Sequence, residues 1–101
     1  MLDPAAFTDL RNFIKQKIAR AQYRVGSTDY PATINDVEIL PNGTVRAKLS
    51  IIPSGQVTIN RVELFNNNNE RWVHQDVNIT IETGQTGVLY WFDFAVIEGG
   101  V

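Results

Sequence analysis

Apolar residues recur at steps of three and four through the first twenty positions, and at steps of two through most of the rest. Phe7, Leu10, Ile14, Ile18 and Ala21 form the first series, with Phe13 beside it. Such spacing draws one apolar stripe on a helix. Asp3 suits the N-cap and Pro4 the first helical position. Arg11, Lys15 and Gln16 fall away from the stripe. Gly26 lies too far on to close the helix, so its end is expected near Arg20 to Gln22. A helix this short is marginal alone in water. Burying each large stripe residue contributes roughly 1.5–3 kcal/mol, so the stripe needs a surface: the protein's own sheet first, another subunit second.

The period-two region follows. A short hairpin is expected around Gly26 to Asp29. Val37 and Ile39 alternate before Asn42-Gly43, and Val45, Ala47, Leu49 and Ile51 alternate after it. Asn-Gly between such runs is a strong hairpin signal. Val57 and Ile59 then share one face while Val62 and Leu64 take the other. That slip predicts a bulge near Asn60 and Arg61, or a strand that changes sheets. Val73, Val77, Ile79 and Ile81 share a face again. The last run, "VLYWFDFAVI", is apolar on both faces apart from Asp93. Such a strand reads as central and covered on both sides.

These elements predict a mainly β protein. An N-terminal amphipathic helix over about 3–22 leads into six or seven mostly antiparallel strands over about 22–98. They fold into a small sandwich or a curled, barrel-like sheet. A chain of 101 residues fits one domain over 1–101.

Composition narrows the function classes. Apolar residues make up 44% and charged residues 20%, the proportions of an ordinary globular chain. A net charge of -2 speaks against nucleic acid as a main partner, because phosphate binding wants a basic surface. No run approaches the length of a membrane span, and the first ten residues lack the basic and apolar regions of a signal peptide. Cysteine is absent, which excludes disulfides and thiolate chemistry. Residues 1–30 carry five bases against three acids, and the remainder four against eight. Two readings are open: a helix matched to its own dipole, or a basic face for an acidic partner.

Candidate chemistry is sparse. His74 is the single histidine, with Asp76 two residues on, and no serine lies in a nucleophile-elbow context. No phosphate loop and no metal-ligand spacing occurs, so no enzyme activity, cofactor or metal is expected. Asp93, inside the apolar last strand, reads as a buried structural carboxylate, with Arg61 as its candidate partner. Asn66 to Asn69 read as an exposed hairpin tip, since asparagine tolerates positive φ. Beyond the tip, Trp72, His74 and Asp76 share the polar face of the returning strand. An aromatic platform among amides and carboxylates suits sugar recognition, so Asn67, Asn68, Trp72, His74 and Asp76 are the candidate ligand-binding residues. The competing reading lays Trp72 over a neighbouring hairpin or the helix.

Three stretches taken together, "FTDLRNFIKQKIARAQY", "RVGSTDYPATINDVEI" and "VTINRVELFNNNNERWV", resemble small proteins encoded in the tail and baseplate gene region of bacteriophages and prophages of Gram-positive bacteria. That resemblance carries no catalytic residues. It implies a structural or accessory role through contacts with other virion or tail proteins, self-association among them. The implied location is the virion, or the bacterial cytoplasm during assembly. A small ligand-binding module, for a glycan on the Trp72 face, is the alternative.

Overall fold

The computed structural model describes residues 2–95. One helix, α1 (Pro4–Lys17), runs directly into six strands: β1 (Ile18–Val25), β2 (Thr28–Ile39), β3 (Thr44–Ile51), β4 (Val57–Asn66), β5 (Arg71–Ile81) and β6 (Val88–Ala95). All pairings are antiparallel, in the order β5-β4-β1-β2-β3-β6. The sheet curls into a nearly closed barrel, with β5 and β6 as its two edges. Its interior holds Ala21 and Tyr23 of β1, Ala47, Leu49 and Ile51 of β3, Ile59, Val62 and Leu64 of β4, Ile81 of β5 and Phe92 of β6.

The helix ends earlier than its stripe suggests. Ile18 already has extended dihedrals, and its N–H makes the last bond back to Ile14. From Ile18 the chain also satisfies a two-residue period: Ala21 and Tyr23 point in, while Arg20, Gln22 and Arg24 point out. Pairing with β2 and β4 on both sides outweighs one more helical turn. Asp3 stands at the N-cap without a side-chain cap bond, Pro4 starts the helix, and no side chain of α1 is buried. The helix lies across one end of the sheet. Arg11 Nε donates to the Gly43 carbonyl at 2.9 Å in the β2–β3 turn, and Phe13 meets Trp72 of β5.

Two hairpin loops share one construction. Gly43 N–H donates to Leu40 O and Leu40 N–H to Thr44 O; Asn69 N–H donates to Asn66 O and Asn66 N–H to Glu70 O. Each loop ends in a left-handed residue, Gly43 at φ 89° and Asn69 at φ 62°. The sequence pattern suggested a two-residue Asn-Gly turn. Such a turn needs positive φ at both central residues, and among non-glycine residues only Asn69 has it. Pro41 joins the loop instead. The β1–β2 hairpin is longer than expected, because β2 runs without a break from Thr28 to Ile39.

The slip in β4 is a real irregularity. Ile59 pairs with Ile79 and Arg61 with Asp76, so two steps on β4 face three on β5. A second shift sets Leu64 opposite Val73 but Phe65 opposite Arg71, leaving Trp72 bulged. The last strand departs from expectation. β6 is an edge, paired with β3 alone among the described strands. Val88, Tyr90, Phe92 and Phe94 turn inward, and Leu89, Trp91 and Asp93 turn outward with no layer over them among the described residues. Val96 and Ile97 lie outside the described residues.

Candidate functional site

The outward residues of β6 and their neighbours form the most distinctive surface. Strand β6 pairs with β3 without a register shift from Thr44–Ala95 to Ile51–Val88. Its free edge is therefore straight, and its sequence, VLYWFDFA, holds neither lysine nor proline. Leu89 is 67% exposed, Trp91 49%, and Ile52, just past the end of β3, 72%. Beside Leu89 a shallow groove of about 230 Å³ is lined by Ser50, Ile52, Thr86, Gly87, Val88 and Leu89. Natural sheets blunt an exposed edge with charge, proline or bulges. The other edge does so: β5 carries two register shifts and turns Trp72, His74, Asp76, Asn78 and Thr80 to solvent.

Charge around the β6 edge is neutralised locally. Register places Arg46 opposite Asp93 and Lys48 opposite Trp91. Arg46 donates from Nε and Nη2 to the two Asp93 oxygens at 2.8 and 3.0 Å, and its guanidinium lies 4.2 Å from the Trp91 ring centre. Lys48 pairs with Glu38 at 3.0 Å. The bond from Arg46 holds the Asp93 carboxyl below the usual carboxylate range, against a smaller opposing effect of burial.

Asp93 is thus neither buried nor partnered by Arg61. Its side chain is 46% exposed. Arg61 sits on β4, which β1, β2 and β3 separate from β6 in the sheet order, and pairs at 2.9 Å with Asp76, its cross-strand neighbour on β5. Arg61 and Asp76 line a second groove with Arg24, Gly26 and Asn60, at the end of the sheet away from the asparagine tip.

The residues singled out for ligand binding are spread along β5 and its turn. Asn67 and Asn68 are exposed in the loop. Asn66, expected in the exposed tip, is instead buried at the end of β4. Its Oδ1 accepts from the Asn68 and Glu70 N–H groups, and its Nδ2 donates to Glu70. Trp72 is 37% exposed and lies against Phe13, so the helix occupies part of its surroundings. His74 is exposed opposite Glu63, and Asp76 is taken up by Arg61.

One polar chain was not foreseen. Arg20 donates to Asn69 at 2.6 Å and to Gln22 at 3.0 Å. Gln22 donates to Glu63 at 2.8 Å, and Arg71 closes the series on Glu63 at 2.9 Å. Glu63 is only 3% exposed. Burial alone pushes its carboxyl up, and the bonds from Gln22 and Arg71 together hold it below its ordinary value. The cue lay in Arg20, Gln22 and Arg24, whose alternation marks an outward strand face once the helix is allowed to stop earlier.

No family model, curated protein or solved structure matches this chain. Among the described residues no helix is long and apolar enough to cross a membrane, and no group of three His, Asp or Glu side chains gathers as a metal site.

Proposed function

We propose that this protein is a structural or accessory subunit that acts by holding other protein chains, in the tail region of a bacteriophage or prophage particle. The observation that carries the contact role is the β6 edge: straight, without lysine, proline or a bulge, its one charge at Asp93 held by Arg46, and flanked by exposed Leu89, Trp91 and Ile52. A strand edge of this kind offers unpaired backbone groups together with apolar area, the two ingredients of recognition by strand addition. The tail setting rests on the sequence resemblance. It places the protein in the virion, or in the bacterial cytoplasm during assembly.

The glycan reading draws on Trp72, Asn67, Asn68, His74 and Asp76. Phe13 and Arg61 already engage two of these groups, so the contact reading stands ahead. Quantitative mass spectrometry of purified particles from a bacterium carrying the gene tests it. A fixed ratio of this chain to tail proteins is expected. Its absence from both particles and tail intermediates contradicts the reading.

A further inference from the structure

We infer that the partner on the β6 edge is a second copy of this chain, joined antiparallel about a two-fold axis so that the two sheets become one. The inference deepens the contact role proposed above and rests on it.

An antiparallel joint between identical strands is self-complementary by symmetry, because each copy supplies the same edge. The two edges of the chain are not equal candidates. On β5 the bulged residue Trp72 and the shift between Ile59 and Arg61 break the line of backbone groups that an added strand needs. On β6 the line runs unbroken from Val88 to Ala95. A head-to-tail joint of β6 to β5 would set the straight edge against the broken one. Joining β6 to β6 uses the straight edge twice.

Charge selects the orientation. The outward row of β6 reads Leu89, Trp91, Asp93, with Asp93 its single ionisable residue. In a parallel joint the two Asp93 carboxylates would stand side by side. In an antiparallel joint centred near Trp91 each Asp93 faces the Leu89 end of the other copy. Four residues separate those positions, about 13 Å along a strand, beyond the screening length of about 8 Å at physiological salt. The cations Arg46 and Lys48 stay one strand back from the joint, each held by its own carboxylate. The two Trp91 side chains then lie near the axis, in the aromatic-rich centre that stable interfaces favour.

Sedimentation equilibrium of the full chain tests the pairing. The wild type is expected to show a monomer–dimer equilibrium. Leu89→Lys places a lysine on an already exposed position of the edge, and it should weaken the dimer at least tenfold while leaving the thermal midpoint of the dilute, monomeric protein unchanged. Asn78→Lys, on the other edge, should leave the dimer constant within twofold. A wild type that stays monomeric at the highest soluble concentration overturns the inference. So does a dimer indifferent to Leu89→Lys, or one broken by Asn78→Lys instead. The two proposals fail separately: a monomer found in particles sinks the self-pairing alone, and a dimer missing from particles sinks the tail role alone.

Discussion

Phe13 on the helix and Trp72 on β5 meet ring to ring, their centroids 6.4 Å apart and their planes tilted by 30°. Both rings remain partly exposed, and no α1 side chain is buried. The contact joins the helix to a strand that β1 and β4 separate from β2 and β3 in the sheet order. A double-mutant cycle with Phe13→Ala and Trp72→Ala should give a coupling of about 0.5–1.5 kcal/mol. Trp72→Ala alone should cost less than the roughly 3–5 kcal/mol of a core tryptophan. Denaturant melts of the four proteins supply both values, and a coupling of zero would leave the ring contact without energetic weight.

Asp93→Ala should be mild, because the carboxylate is exposed and its loss leaves no buried partner. The expected change lies in the range of ordinary surface substitutions. Its depressed pKa sets the sign of the pH effect. Any stability it contributes is present above the ordinary carboxylate value and fades as pH falls through the lower folded value. Melts of wild type and variant at neutral and acid pH should therefore converge as the solution is acidified. A large loss at neutral pH would mean that Asp93 is covered.

Glu63 should behave differently. It is buried, and its charge is held by Gln22 and Arg71. Arg71→Met removes the charge-assisted bond, for which about 1.5–3 kcal/mol is the usual scale. Without Arg71, burial dominates and the carboxyl of the variant rises. The wild type keeps the contribution of this group above the ordinary carboxylate value and loses it as pH falls through the lower folded one, whereas the variant is relieved by protonation. The gap between the two proteins should thus be widest at neutral pH and narrow towards pH 3. A gap independent of pH would show that Arg71 acts by packing alone.

Asn69 holds the left-handed position of its loop at φ 62°. Asn69→Ala should cost about 1–2 kcal/mol, the strain of a side chain with no local hydrogen bond there. Asn69→Gly should be close to neutral, since glycine adopts that conformation freely and the exposed bond to Arg20 contributes little. Paired thermal melts decide it, and equal losses for both variants would place the energy in the Arg20 contact instead of the backbone.

Much of this architecture was legible in period alone. Val45, Ala47, Leu49 and Ile51 announced β3, and the shift from Ile59 to Val62 announced the irregularity between β4 and β5. The helix ends earlier than its spacing predicts because Ile18 and Ala21 satisfy both a helical and a strand period. Only the pairing of Ala21 with Ala32 and Leu64 decides between them. The last strand departs from its pattern for a different reason. Apolar residues on both faces imply cover on both faces, and among the described residues Leu89 stays 67% exposed while only Arg46 and Lys48 lie against Trp91. Asp93 differs for the same reason: a carboxylate in a covered strand must be buried, whereas on an open edge it meets solvent and Arg46. Of the candidate site residues, the sequence placed Asn67 and Asn68 in the tip and left the helix open as a cover for Trp72, but it did not single out Phe13 as the contact, because tertiary neighbours leave no trace in spacing.

The account turns on β6 as the edge that takes a partner, and residue-resolved amide hydrogen exchange at low and high protein concentration tests that most directly. Every second amide from Val88 to Ala95 points away from β3 and should exchange fast when dilute. Those amides should slow at least tenfold when the protein is concentrated, while the outward amides of β5 keep their rates. Unchanged β6 rates, or slowing confined to β5, would contradict it.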